Sequence, residues 1–86
     1  MSEGLILVVD DEKQIQELVK LYLEKDGFTV ALAGDGNEAV EKALTLAPQL
    51  IVLDIMLPKK DGWEVCREVR KTSSVPIIML TAKGEE

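Results

Sequence analysis

Three short apolar runs, each closed by a polar residue, constrain the fold more than any other feature of this sequence. The runs are 5–9, 50–53 and 77–80, and the residues that follow them are Asp10, Asp54 and Thr81. Each run is continuously apolar and rich in branched side chains, which is typical of strands buried on both faces of a parallel sheet. A fourth segment, 28–32, alternates large and small residues and predicts an edge strand.

The stretches between these runs have helical spacing. In the first stretch apolar residues recur at i, i+3, i+4 and i+7, which predicts a helix over about 12–25 with one inward face: Ile15, Leu18, Val19 and Tyr22. Asp35 and Asp61 are each followed by glutamate three residues later, a capping-box pattern that predicts where the next two helices begin. The last of these helices is expected to turn Trp63, Cys66 and Val69 inward, with Val65 at the border of that face.

Strict alternation of strands and helices predicts a doubly wound α/β fold with right-handed crossovers. We predict the flavodoxin-like strand order 2-1-3-4, because it puts the alternating segment 28–32 at an edge and the run 5–9 at the centre. The same alternation predicts a further helix, strand and helix after the fourth strand. We therefore expect residues 1–86 to form one domain that is incomplete at its C-terminus; the alternative is a complete four-stranded domain.

Acidic residues close the first and third predicted strands. Ligands of open α/β sheets bind beyond the carboxyl ends of the strands at the switch point, here between these two strands, so Asp10, Asp11 and Asp54 are expected to meet. Three clustered negative charges repel, so either the pKa of one carboxyl rises or a cation binds. An all-oxygen acidic set suits Mg²⁺. The backbone carbonyl of Met56 is close enough in sequence to Asp54 to join such a site. The alternative is that single aspartates cap a helix or close a turn.

A carboxylate at a strand end can also act as a nucleophile and form an aspartyl phosphate. Asp54 is the best candidate because it follows an apolar strand and faces the predicted metal ligands. Phosphoryl transfer depends mainly on charge neutralisation and in-line approach, which a metal ion and loop amides supply. Thr81 closes the strand next to the third, so its hydroxyl can bond a phosphoryl oxygen; the alternative is that it caps the next turn.

Composition excludes several classes of function. Sixteen acidic and ten basic residues give a net charge of -6, which argues against binding to nucleic acid or to an anionic membrane surface. The absence of histidine and the single cysteine, Cys66, exclude a Ser-His-Asp triad, a histidine-ligated metal and a multi-cysteine zinc site within these residues. No apolar run is long enough to span a bilayer, and the start lacks a basic signal-peptide flank, so the cytoplasm is the expected compartment.

The motifs together resemble the receiver domain of bacterial two-component response regulators. The resemblance is carried by 8–12, 50–58, 61–62 and 79–82, in the expected order and on the expected elements. It implies that Asp54 accepts a phosphoryl group from a histidine of a sensor kinase, so the chain is expected to be a signalling module and not an enzyme. It also implies that Asp11 binds Mg²⁺ directly, with Asp10 beside it or acting through water. The Met56 carbonyl is then the third protein ligand and Thr81 the switch hydroxyl.

Leu57-Pro58 and Asp61-Gly62 are similar to the branch of this family that carries a DNA-binding output domain. The segment itself is not expected to bind DNA. Receiver domains also carry a lysine at the end of a fifth strand, which has no counterpart here, and Lys83 is expected to belong to a loop. A receiver fragment inactive in phosphotransfer, acting as a folding or self-association module, therefore stays open as an alternative.

Two further expectations concern partners and enzyme classes. An uncovered fourth-strand edge and an uncovered face of the first helix predict a homo-oligomer. A phosphatase of the haloacid dehalogenase type also uses a strand-end aspartate with Mg²⁺. That family needs a second acid two residues after the nucleophile, and position 56 is methionine.

Overall fold

The computed structural model describes residues 4–80 and shows four strands alternating with three helices. In chain order these are β1 (Leu5–Val9), α1 (Lys13–Lys25), β2 (Thr29–Ala33), α2 (Gly36–Leu46), β3 (Leu50–Asp54), α3 (Gly62–Arg70) and β4 (Ile77–Leu80). All strand pairs are parallel, and the order across the sheet is β2-β1-β3-β4. The predicted doubly wound, flavodoxin-like fold and the predicted strand order are confirmed.

One face of the sheet carries the main core. Alternate residues of the two central strands point to this face, where α2 and α3 cover them. The cluster is fully apolar, and its members are nearly inaccessible to solvent: Leu7, Val9, Ala33, Ala39, Ala43, Ile51, Leu53, Val65 and Val69. Because both central strands are anchored here, their carboxyl ends are held at one edge of the sheet.

The opposite face is covered only in part by the described residues. There α1 lies over β1 and β2, and the alternate β1 residues Ile6 and Val8 are buried. In the register of β3 with β4, Val52 is opposite Ile78, so Ile78 and Leu80 belong to this same face. Both remain substantially exposed. Within residues 4–80, the β3–β4 half of this face has no helix over it.

The sequence prediction for the inward face of α1 was wrong in part. Gln16 is the buried residue of this helix, whereas Leu18 and Tyr22 are exposed. The reason is the position of α1 over β1 and β2, which leaves its flank on the β3–β4 side uncovered in residues 4–80. Within this part of the chain, no helix has the length and apolarity needed to cross a bilayer.

The predicted inward face of α3 was also wrong in part, because Trp63 is exposed and Val65 is buried. Gly62 packs against the end of β3, and the positions three and seven residues later, Val65 and Val69, then face the core. The predicted capping box at Asp61 is present in full. The packing of Gly62 thus sets the rotation of this helix.

Helix α2 has only half of its predicted capping box. The Asp35 carboxylate accepts a hydrogen bond from the Glu38 amide at 2.8 Å. The Glu38 carboxylate, however, accepts from the Gly34 amide at 2.9 Å instead of returning to Asp35. Both bonds still satisfy amides near the start of the helix, which is the physical role of a cap.

Candidate functional site

The carboxyl ends of β1 and β3 bring three aspartates together. Asp10 directly follows β1, Asp54 is the last residue of β3, and the two strands are hydrogen-bonded neighbours in the sheet. One carboxylate oxygen from each of Asp10, Asp11 and Asp54 lies within 4.8 Å of the others. The arrangement is the one that the strand order dictates, because parallel strands end at a common edge.

Backbone amides hold two of these carboxylates in place. Asp10 and Asp54 are 7% and 8% exposed, whereas Asp11 is exposed. Asp10 Oδ1 accepts a hydrogen bond from the Glu12 amide at 2.9 Å, and Asp54 Oδ1 accepts from the Met56 amide at 3.2 Å. Both of these bonds are made to Oδ1 of the carboxylate.

The electrostatics of the cluster favour a cation. Burial raises the pKa of the Asp54 carboxyl above its ordinary value, and the negative charges of Asp10 and Asp11 raise that pKa further. The hydrogen bond from the Met56 amide acts in the opposite direction and lowers the pKa. A bound cation would offset the mutual repulsion of the three carboxylates. A set of oxygen donors this close together fits a hard divalent ion, so these residues could hold a metal.

Gly62 allows α3 to begin directly against the site. Its amide donates to the Ile55 carbonyl at 2.8 Å. A Cβ at this position would lie 2.7 Å from Ile55 Cα and 2.8 Å from the carbonyl oxygen of Asp54. Both atoms are backbone atoms that cannot move independently of β3. A side chain here would therefore displace the residue that bears the central carboxylate.

The loop between β3 and α3 is also held from the α2 side. The Gly36 amide donates to the Pro58 carbonyl at 3.3 Å, and a Cβ at Gly36 would overlap the Lys60 backbone. Lys59 has a φ of 72°, and its Nζ lies 3.7 Å from Asp35 Oδ2. This lysine therefore pairs with the cap of α2 and not with the three aspartates. The loop that follows Asp54 is tied to the starts of two helices.

Gln16 is a site-positioning residue that the sequence analysis missed. Its Nε2 donates to the Asp10 carbonyl at 2.5 Å and to the Ala33 carbonyl at 3.1 Å, and so joins the ends of β1 and β2. The sequence does contain a pattern that indicates this role for Gln16. Gln16 shares the buried arc of α1 with Val19 and Leu23, three and seven residues later, and a polar residue in such an arc needs a buried partner.

The remaining predicted site residues are placed as follows. The Met56 side chain is exposed, and its amide bonds Asp54. Thr81 lies outside the described residues. Leu80, the residue before it, is opposite Asp54 in the register of β3 with β4, and its carbonyl accepts from the Ile55 amide at 3.2 Å. The described end of β4 therefore reaches the level of the three aspartates.

Comparison with known proteins identifies the family. A family model described as "Response regulator receiver domain" matches residues 6–86. The chain is 51% identical over 85 residues to the transcriptional regulatory protein ResD of Bacillus subtilis (strain 168), and the match covers 99% of this chain and 35% of ResD. The chain thus spans about a third of the length of this curated relative.

Solved structures agree with this result. The N-terminal domain of a response regulator receiver protein from Methanoculleus marisnigri JR1 superposes with a TM-score of 0.90 at 35% identity, covering 99% of this chain and 72% of that one. The BeF3-activated N-terminal receiver domain of Klebsiella pneumoniae RstA gives a TM-score of 0.88 at 35% identity, covering 95% of this chain and 70% of that one.

Proposed function

This chain belongs to the response regulator receiver domain family of two-component systems, and from that premise we propose that Asp54 is its phosphoacceptor. The observation that carries the proposal is the cluster itself. Asp54 is buried at a strand end, with Asp10 and Asp11 within 4.8 Å. Receiver domains of response regulators typically work with histidine kinases, so the proposed donor is a phosphohistidine of a sensor kinase.

The chemistry assigned to Asp54 follows from its hydrogen bonds. The Met56 amide holds Oδ1, which leaves the other carboxylate oxygen as the nucleophile. That oxygen attacks phosphorus, the bond from phosphorus to the donor's imidazole nitrogen breaks, and the electron pair stays on that nitrogen, which then takes up a proton. The product is an aspartyl phosphate. The fixed orientation of the carboxylate supports an in-line approach.

The proposed metal is Mg²⁺, held by carboxylate oxygens of Asp10, Asp11 and Asp54 and by the backbone carbonyl of Met56. Bound Mg²⁺ would supply neutralisation of the charge that builds up on the transferring phosphoryl group. The donor set supports this choice, because Mg²⁺ prefers a few carboxylates and retains water on its other positions. Thr81 is proposed as the hydroxyl that bonds the phosphoryl group.

ResD carries the printed name of a transcriptional regulatory protein. We also propose that this segment belongs to a longer protein that carries a DNA-binding output domain. The segment itself is proposed to make no contact with DNA. The family match, together with methionine at position 56, disfavours a phosphatase of the haloacid dehalogenase type.

A titration of the chain with Mg²⁺, followed by Trp63 fluorescence, tests the metal site. Trp63 is exposed and adjoins Gly62, which packs on the Asp54 carbonyl, so its emission should respond to changes at the cluster. We expect a saturable change, and a further change when beryllofluoride is added as a phosphoryl mimic. Asp54→Asn should abolish the fluorescence change caused by beryllofluoride and weaken the change caused by Mg²⁺.

Asp26→Asn is the matched control, because Asp26 is exposed at the opposite end of α1. That variant should titrate like the parent chain. Incubation with a small phosphodonor should then add the mass of one phosphoryl group to the parent and to Asp26→Asn, but not to Asp54→Asn. A folded chain that shows neither metal response nor phosphorylation would refute the proposal and favour the inactive-fragment alternative.

A further inference from the structure

The loop between β3 and α3 is held at two points, and Met56 lies between them. At the first point the Ile55 carbonyl accepts a hydrogen bond from the Gly62 amide at 2.8 Å, which fixes the loop to the start of α3. At the second point the Pro58 carbonyl accepts from the Gly36 amide at 3.3 Å, which fixes the loop to α2. The position of the Met56 carbonyl therefore depends on α2 as well as on β3 and α3.

Gly36 is buried, and its position has no room for a side chain. A Cβ at Gly36 would overlap the carbonyl oxygen and the Cβ of Lys60, and it would lie 2.7 Å from the Lys60 carbonyl carbon. Non-bonded carbon atoms pack about 3.5–4.0 Å apart, so a methyl group here would push the loop and α2 apart by roughly 1 Å. A change of side-chain rotamer cannot relieve an overlap with backbone atoms. The missing side chain thus sets how closely the loop approaches α2.

Lys59 turns the loop at the same place. Its φ is 72°, and the Lys60 amide donates to the Pro58 carbonyl at 2.7 Å, which closes a three-residue γ-turn. The Pro58 carbonyl therefore accepts both the bond of the turn and the bond from α2. The Lys59 side chain is 62% exposed and its Nζ is 3.7 Å from Asp35, and exposed ion pairs of this kind contribute little. The backbone turn is thus the stronger constraint on the loop.

We propose that Gly36 and Lys59 are positioning residues for the metal site, because they set the position of the Met56 carbonyl relative to the three carboxylates. The inference rests on the proposed function, since it concerns the Mg²⁺ site assigned above. Helix α2 contributes none of the proposed ligands, so its effect is exerted through the loop. Mg²⁺ tolerates little deviation from octahedral geometry, with ligands at about 2.0–2.1 Å, so a loop displaced by roughly 1 Å would bind it more weakly.

Mg²⁺ titrations of the parent chain and of Gly36→Ala test the proposal. Trp63 fluorescence gives the dissociation constant, and the gain in urea stability with added Mg²⁺ gives it independently. Gly36→Ala should bind Mg²⁺ about tenfold more weakly than the parent, as is typical when a group that orients a metal ligand is altered. Gly34→Ala is the matched control and should bind like the parent. A Cβ at Gly34 would make ordinary contacts, at 3.8 Å from Gln16 Nε2 and 3.9 Å from Glu38 Oε1.

Two substitutions of Lys59 keep the test decisive if Gly36→Ala folds poorly. Lys59→Gly and Lys59→Val both remove the ammonium group and its ion pair with Asp35, but only glycine adopts a φ of 72° without strain. Lys59→Gly should therefore keep the dissociation constant of the parent for Mg²⁺. Lys59→Val should raise that constant about tenfold, as Gly36→Ala does.

A purely structural role would give a different pattern. Val69→Ala, which removes apolar contacts near the far end of α3, should lower stability in urea and leave the Mg²⁺ dissociation constant unchanged. If Gly36→Ala and Lys59→Val behave in that way, the positioning role is refuted and the metal site stands. Equal weakening by Lys59→Gly and Lys59→Val would assign the effect to the lost charge and overturn the role of the turn. A folded parent chain that does not bind Mg²⁺ would refute the metal site, and this inference with it.

Discussion

Replacing Asp54 by asparagine should stabilise the fold in the absence of divalent cations. Asp54 is almost fully buried and lies within 4.8 Å of two other carboxylates, so its ionised form is unfavourable in the folded chain. Asparagine removes the charge and keeps an oxygen that can accept from the Met56 amide. The substitution therefore removes the repulsion with little loss of hydrogen bonding.

The magnitude follows from Coulomb's law at 4.8 Å, the distance within which one carboxylate oxygen of each aspartate lies. Two unit charges 4.8 Å apart repel by about 0.9 kcal/mol in water and by about 3.5 kcal/mol at an effective dielectric constant of about 20. Asp54 has two such neighbours, of which Asp11 is exposed and strongly screened. Allowing about 1 kcal/mol for the weaker hydrogen bond to a neutral amide, we expect a net gain of about 1–3 kcal/mol. For a domain of this size that corresponds to a melting temperature higher by about 5–15 °C.

The stabilisation should depend on pH in a defined direction. The pKa of Asp54 is raised in the folded chain from an ordinary value of 3.8. The folded state therefore holds this proton more tightly, and the stability that protonated Asp54 contributes is lost as the pH rises through the raised pKa. The difference in the free energy of unfolding between Asp54→Asn and the parent should be near zero at a pH well below the ordinary pKa. It should reach its full size at neutral pH.

Urea unfolding of both chains, in a chelator and at acid and neutral pH, measures this difference. Adding Mg²⁺ at neutral pH should stabilise the parent more than the variant, so the difference in their free energies of unfolding should become smaller. Asp26→Asn, an exposed control, should show no comparable gain. The reasoning is refuted if Asp54→Asn is less stable than the parent at neutral pH in chelator. It is also refuted if the difference in the free energy of unfolding between the two chains is the same at both pH values.

Three further predictions follow from contacts around the site. Gly62→Ala should destabilise the fold by about 1–3 kcal/mol, measured by urea unfolding, because the new Cβ meets the β3 backbone; an unchanged midpoint would contradict this. Gln16→Leu should cost about 1–3 kcal/mol in the same assay, since it leaves the carbonyls at the ends of β1 and β2 without their side-chain donor; an unaffected Mg²⁺ response would exclude the proposed positioning role. Glu38→Gln should lower stability at neutral pH and have a smaller effect in acid. The Gly34 amide and Lys42 lower the pKa of Glu38, so its contribution is lost as the pH falls through that pKa; thermal melts at several pH values check the trend.

The sequence was sufficient to predict the strands, their order and the meeting of the three aspartates. Continuous apolar runs identify the strands of a parallel sheet, although one face of β4 is exposed in residues 4–80 and the expected cover on both faces is not found there. Alternation with helices permits few topologies. Once the order is known, residues that close neighbouring parallel strands must lie at one edge. Asp10 and Asp54 could thus be brought together without any knowledge of their side-chain contacts.

The helix faces and the support of the site were decided by tertiary structure. The periodicity of α1 shows that it is amphipathic but not how much of its apolar stripe a neighbour covers, and the position of the helix over β1 and β2 leaves Leu18 and Tyr22 exposed. The rotation of α3 depends on the close approach of Gly62 to β3, which no spacing rule contains.

The local sequence pattern therefore determined which residues end each strand and which strands are neighbours. Strand periodicity and crossover handedness are properties of the backbone, so they can be inferred without side-chain contacts. Only the packed structure determined how those groups are held. The two bonds from Gln16 to carbonyls 6 and 17 residues away, and the burial that raises the pKa of Asp54, arise between segments that are distant in sequence. Such contacts depend on interatomic distances and exclusion of solvent, which are set when the helices pack on the sheet.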